Sequence, residues 1–223
     1  MTMTERHIRV SRTARVHLVG SPGPGIQSAW FACHGYGQLA ASFAAQLGAV
    51  AAADRLIVAP EGLSRFYLDA THVDADARRV GATWMTREDR EAEIADYVGY
   101  LDTVYSTIMA ELPASGVRVH VLGFSQGVAT AMRWIALGAS RVDALTLWAG
   151  GLAHDVDLAA HAERFGQMSV TLVAGEHDRL VSDAAVDTAR DRLRAAGIAH
   201  ELVRFSGGHR LDDAVLRRLA AAR

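Results

Sequence analysis

The feature that most constrains the fold is Gly123-Phe124-Ser125-Gln126-Gly127, which lies between an apolar run at 117–122 and a helix-like run at 128–137. This pattern predicts a strand, a sharp turn that carries Ser125, and a helix. Glycines on both sides let strand and helix approach closely, while the strained turn lifts the serine hydroxyl clear of the sheet edge. The alternative is an ordinary glycine-bounded turn with a solvated serine, because so short a motif also occurs by chance.

Buried strands alternate with helices along the rest of the chain. Strands are predicted at 29–33, 55–59, 117–122, 144–148, 170–174 and 200–205, and helices from about 38 to 53, from 88 to 112, and at 128–137, 183–196 and 211–222. Such alternation is typical of an α/β fold, with a mostly parallel central sheet and helices on both faces. We expect one domain over 1–223, opening with a hairpin of His7–Val10 and Arg15–Val19. The irregular stretch 61–86 is predicted to be a flap or substrate loop.

Composition excludes several classes of function. A formal charge of −2 and the lack of a basic run argue against nucleic-acid binding. No stretch approaches the roughly 20 apolar residues of a membrane span. Residues 1–10 have no long apolar core behind their charges and so do not resemble a secretory signal, and we expect a cytoplasmic protein. The single cysteine, Cys33, lies in an apolar run and is expected to be buried. The ten histidines form no metal-ligand spacing, and we predict neither a metal nor a cofactor.

Chemically active residue types follow three predicted strands. Ser125 follows the strand at 117–122, Asp178 the strand at 170–174, and His209 the strand at 200–205. This chain order is the one expected of a serine hydrolase on an α/β sheet. A serine hydroxyl is a weak nucleophile at neutral pH, so His209 would accept its proton while Asp178 orients the imidazole. Glu176 and His177 are the alternative acid and base.

A developing oxyanion needs backbone donors. The turn supplies the N–H of Gln126 at the start of a helix, and we expect the second donor to be the N–H of Tyr36 in the loop His34-Gly35-Tyr36-Gly37. His34 is predicted to hold this loop by hydrogen bonding rather than to act as a base.

Together these motifs resemble the α/β-hydrolase superfamily, specifically the carboxylesterase and phospholipase branch that includes acyl-protein thioesterases. The resemblance rests on residues 34–37, 123–127, 178 and 208–209, and it implies hydrolysis of a small-molecule carboxylic ester or thioester through an acyl-enzyme on Ser125. Gln38, where the thioesterases usually carry Asp, and Val128, where they carry a second glycine, depart from that branch. We therefore expect a carboxylesterase for short-to-medium acyl esters, with acyl-protein thioesterase or lysophospholipase as alternatives.

The acyl pocket is predicted in the stretch 61–86, because an acyl group needs apolar walls. Its candidate residues are Leu63, Phe66, Tyr67, Trp84 and Met85. These side chains would equally serve to anchor a long loop to the core. A peptidase, an acyltransferase and a non-catalytic binding protein on the same fold remain open at this point.

Overall fold

The computed structural model describes residues 2–69 and 78–222. Its helices and strands are β1 (Val16–Val19), β2 (Ser28–Cys33), α1 (Ala40–Gln46), a 3-10 helix (Gly48–Val50), β3 (Arg55–Pro60), β4 (Ser64–Tyr67), β5 (Val80–Thr83), α2 (Arg90–Ala110), β6 (Arg118–Phe124), α3 (Gln126–Leu137), β7 (Ala144–Trp148), α4 (Ala162–Gly166), β8 (Ser169–Gly175), α5 (Asp183–Ala195), β9 (Glu201–Phe205) and α6 (Asp213–Ala221).

Seven strands form the central sheet in the order β1-β3-β2-β6-β7-β8-β9. β1 is antiparallel to β3, and the other neighbouring strands are parallel. The register places Cys33 beside Gly123 and Gly175 beside Phe205. The loops after β2, β6, β8 and β9 therefore begin at the same edge, which is where ligands bind in such sheets. The predicted fold class is confirmed.

Alternate side chains of the sheet belong to two hydrophobic cores. Trp30 packs in a core with Phe43 of α1 and with residues of α6. Its neighbour Phe31 packs instead with Tyr97 of α2 and Trp134 of α3. Consecutive strand residues point to opposite faces, so helices cover the sheet on both sides.

The predicted N-terminal hairpin is wrong. β1 pairs with β3, in a register that places Val16 opposite Pro60. Residues 7–10 are exposed and form no strand. Their alternation of apolar and polar residues matches that of an edge strand, but β3 supplies the backbone partner that β1 needs.

The described parts of the stretch 61–86, residues 61–69 and 78–86, contain two strands that the sequence does not predict. β4 and β5 form an antiparallel hairpin in which Phe66 lies opposite Gly81. The part of the predicted flap at 70–77 lies outside the described residues. The short helix α4 was not predicted from the sequence.

Candidate active site

Ser125 occupies a strained turn between β6 and α3. Its φ of 54° and ψ of −117° lie outside the regions that most side chains adopt, and its backbone N–H donates to the carbonyl of Trp148 at 2.9 Å. A Cβ on Gly123 would lie 2.3 Å from the carbonyl oxygen of Gly127, and one on Gly127 would lie 2.1 Å from that of Cys33. The flanking glycines are therefore required by close backbone contact.

Ser125, His209 and Asp178 form a continuous hydrogen-bonded chain. The Oγ of Ser125 lies 2.9 Å from Nε2 of His209, and Nδ1 of His209 lies 2.8 Å from Oδ2 of Asp178. The Asp178 side chain is only 2% exposed, and its Oδ1 accepts the backbone N–H groups of Leu180 and Val181 at 2.8 and 3.1 Å. A carboxylate only accepts, so it fixes a proton on Nδ1 and leaves Nε2 free to receive one from serine.

Pairing of β8 with β9 brings the acid and the imidazole together. The backbone N–H of His177 donates to the carbonyl of Gly207 at 2.9 Å, and a Cβ on Gly175 would lie 2.5 Å from the same oxygen. The two loops are thus in direct backbone contact. Glu176 and His177, the alternative acid and base, are exposed. The structure places Asp178, rather than Glu176, against His209.

The loop after β2 packs against the serine turn. A Cβ on Gly35 would lie 3.1 Å from Cβ of Ser125. The N–H groups of Gly35 and Gly37 donate to Oε1 of Gln38 and to the carbonyl of Ala82, each at 2.8 Å. Within the described residues, the N–H groups of Tyr36 and Gln126 donate to no protein acceptor. Two donors of this kind beside a serine match the requirements of an oxyanion hole.

His34 supports this loop through both ring nitrogens. Its Nε2 accepts the N–H of Gly62 at 2.9 Å, so Nδ1 carries the proton and donates to the carbonyl of Gly35 at 2.8 Å. Burial lowers the pKa of His34, which keeps the ring neutral. The loop-holding role predicted for His34 is the one seen.

Glu61, at the end of β3, anchors the same region. Its carboxylate is buried and accepts hydrogen bonds from three residues. The donors include Nε of Arg65 at 2.6 Å, Nη2 of Arg15 at 2.7 Å and the backbone N–H of Ala40 at 3.0 Å. Burial alone raises the pKa of Glu61, but these hydrogen bonds outweigh burial and hold the pKa below its ordinary value. Arg65 is therefore an ion-pair partner of Glu61.

Two other arginines lie directly before β5 of the hairpin. Arg79 pairs with Asp69 at 2.7 Å. Arg78 lies over the ring of Tyr67, 5.5 Å from its centroid.

The predicted pocket residues do not all lie together. Phe66 packs on Tyr36 with ring centroids 5.0 Å apart, and Tyr67 is 54% exposed. Trp84 and Met85 are buried in the core. These four residues therefore divide into a pair that reaches the surface near the loop at 34–37, Phe66 and Tyr67, and a buried pair, Trp84 and Met85.

A cavity of about 910 Å³ lies between α2 and residues 7–18. Leu63 and Trp84 contribute to its lining, but Ser125, Asp178 and His209 do not.

Over residues 2–69 and 78–222, no group of three His, Cys, Asp or Glu side chains is arranged to hold a metal ion. No helix in the same part of the chain is long and apolar enough to cross a bilayer.

The strained serine turn at the carboxyl edge of a mostly parallel sheet is that of an α/β-hydrolase. Residues 28–212 match the family described as Serine hydrolase (FSH1), and the chain belongs to this family.

Several solved structures share the fold of this chain. Acyl-protein thioesterase 2 from Zea mays is 18% identical with a TM-score of 0.68, and the match covers 94% of this chain and 99% of that one. Esterase PE8 is 21% identical with a TM-score of 0.65, covering 94% and 97%. A phospholipase/carboxylesterase from Dyadobacter fermentans is 16% identical with a TM-score of 0.63, covering 95% and 97%. The predicted resemblance to the α/β-hydrolases is confirmed, and the fold is shared with an acyl-protein thioesterase, an esterase and a phospholipase/carboxylesterase.

A shorter likeness involves imidazolonepropionases from two strains of Caulobacter vibrioides. They are 30% identical over 139 residues, which is 59% of this chain. The chain matches only 30% of the length of these relatives.

Proposed function

We propose that this serine hydrolase is a carboxylesterase that cleaves short-to-medium acyl esters through an acyl-enzyme on Ser125. The observation that carries the proposal is the hydrogen-bonded chain from Ser125 Oγ through His209 to Asp178, next to two backbone N–H groups that have no acceptor among the described residues. No other arrangement of groups is needed to form and cleave an acyl-serine bond.

Each step follows from an atom in this arrangement. Nε2 of His209 removes the hydroxyl proton as Ser125 Oγ bonds to the ester carbonyl carbon. The carbonyl oxygen becomes an anion held by the N–H groups of Tyr36 and Gln126, each worth about 3 kcal/mol in the transition state. Collapse releases the alcohol, which takes its proton from Nε2. Water then repeats the sequence and releases the acid.

Apolar surface on the loop at 34–37 supports an apolar acyl group. Tyr36 of this loop is 60% exposed and packs on Phe66, and the side chain of Leu68 packs against Gly37. Apolar surface of this kind favours binding of a hydrocarbon chain rather than a charged group. We place the acyl chain of the substrate against this pair.

Hydrolysis of p-nitrophenyl esters from acetyl to palmitoyl, beside the matching acyl thioesters, tests the proposal. Wild type should turn over the shorter esters fastest, and Ser125→Ala should lose on the order of 10⁴-fold or more in kcat. A fluorophosphonate should label wild type alone. A folded wild-type protein that neither hydrolyses any ester nor accepts the label would leave a binding protein on this fold as the better account.

A further inference from the structure

We infer that Thr83 is a positioning residue for the oxyanion hole, because the segment 81–85 is bonded to both of its halves. The inference rests on the proposed function, in which the N–H groups of Tyr36 and Gln126 stabilise the oxyanion. The hydrogen bonds of the Thr83 hydroxyl within the described residues are to Met85 and Gln126, not to Ser125. Thr83 would act through the side chain of Gln126.

The first half of the hole, the loop at 34–37, is fixed to the segment at three points. The carbonyl of Ala82 accepts the N–H of Gly37 at 2.8 Å. The indole N–H of Trp84 donates to the carbonyl of His34 at 2.9 Å. A Cβ on Gly81 would lie 2.5 Å from the carbonyl oxygen of Gly37, so the two backbones are in contact. Together these contacts fix residues on both sides of Tyr36.

The second half of the hole is fixed to the same segment by the Gln126 side chain. Its Nε2 donates to Oγ1 of Thr83 at 2.8 Å and to the carbonyl of Met85 at 2.9 Å. Its Oε1 accepts the N–H of Trp84 at 3.3 Å. Because a backbone N–H only donates, this last contact determines which end of the amide faces Trp84.

The Thr83 hydroxyl completes this network. It accepts from Gln126 Nε2 and donates to the carbonyl of Met85 at 2.9 Å. Thr83 is only 3% exposed, so water has little access to replace it. A buried donor left without its partner is unfavourable, and loss of the hydroxyl should make the Gln126 amide move. The backbone N–H of Gln126 belongs to the same residue, next to the strained Ser125.

The structure therefore assigns Thr83 the role of setting the separation of the two oxyanion donors. The proposed hole would be weakened by a displacement of Gln126 without any change in the triad. Such a change affects the transition state more than the bound substrate, so it should appear in kcat rather than in KM.

Replacing Thr83 by Val, which keeps the shape and removes the hydroxyl, tests this role with a p-nitrophenyl ester. Removing an oxyanion donor outright costs about 10²–10³ in kcat, so displacing one should lower kcat on the order of tenfold and leave KM within about twofold. Thr83→Ser should retain most of the activity. Rates are divided by the number of sites that a fluorophosphonate labels at completion, which removes any loss caused by unfolded protein.

Two further variants separate positioning from a general effect of losing a buried hydroxyl. Thr146→Val removes a buried hydroxyl that bonds His120 inside the sheet, and it should leave kcat unchanged. In a Gln126→Met background, Thr83→Val should have no further effect, because the side chain it acts through is gone.

The failures are distinguishable. If wild type is active and Thr83→Val has an unchanged kcat, the positioning role alone is overturned. The same follows if Thr146→Val lowers kcat equally, or if Thr83→Val lowers kcat by the same factor in the Gln126→Met background. A folded wild type without any ester hydrolysis or labelling overturns the proposed function and this inference with it.

Discussion

Asp178→Asn gives a sharp test of how the acid orients the imidazole. Oδ1 of Asp178 accepts the N–H groups of Leu180 and Val181, and only a carbonyl oxygen can replace it there. The amide NH₂ must then take the position of Oδ2, 2.8 Å from Nδ1 of His209. Because that NH₂ donates, Nδ1 must accept and the ring proton must move to Nε2. Nε2 then points its proton at Ser125 and cannot act as the base.

The expected loss in kcat is about 10⁴-fold, the magnitude that the wrong tautomer causes in serine proteases. At about 1.4 kcal/mol for each factor of ten, this corresponds to about 5.5 kcal/mol of transition-state stabilisation. The assay is the steady-state hydrolysis of a p-nitrophenyl ester, with circular dichroism to establish that the variant is folded.

Glu176→Gln is the matched control, since it makes the same chemical change two residues away on an exposed side chain. It should keep kcat within about twofold. A folded Asp178→Asn that retains a tenth or more of wild-type activity would refute the tautomer argument, and so would an equal loss in Glu176→Gln.

Three further predictions concern stability and specificity. Burial and two nearby arginines lower the pKa of His120 from 6.5 to about 3, so the unfolded chain takes up this proton first as the pH falls. Between pH 7.5 and 5, the unfolding free energy of wild type should therefore fall by about 2 kcal/mol more than that of His120→Gln. Equal losses for the two proteins in urea titrations would contradict this. Gly127→Ala should destabilise the protein by about 3 kcal/mol or more, because its Cβ would meet a β2 carbonyl. Gly99→Ala, at an exposed position of α2, should be neutral or stabilising, and similar denaturation midpoints for the two variants would exclude the contact. Phe66→Ala, which removes half of the pair with Tyr36, should raise KM several-fold for octanoyl but little for acetyl esters; an unchanged preference would remove Phe66 from the acyl site.

Local patterns predict the seven strands of the central sheet, most of the helices and the order of the candidate catalytic residues. Long apolar runs are followed by Ser125, Asp178 and His209, and parallel pairing of the strands brings these strand ends to one edge of the sheet. The same reasoning fails for residues 7–10, since alternation specifies a half-buried strand but not its partner. β1 pairs instead with β3, about 40 residues along the chain.

The β4–β5 hairpin and its contacts also have no local signal. Each strand is only four residues long, and β5 contains Gly81, which weakens a strand prediction. The bond between Thr83 and Gln126 joins residues 43 positions apart. Only the folded chain shows that the indole N–H of Trp84 donates to the carbonyl of His34.

The most direct test of the central claim is the mass of the protein after rapid quenching with a slowly hydrolysed ester. The account predicts one added acyl group, located on the peptide that contains Ser125 and absent from Ser125→Ala. Cys33 is buried with a pKa raised to about 12 by that burial, so it should remain unmodified. Ester turnover with no such adduct on Ser125, or with the acyl group on another residue, would contradict the account.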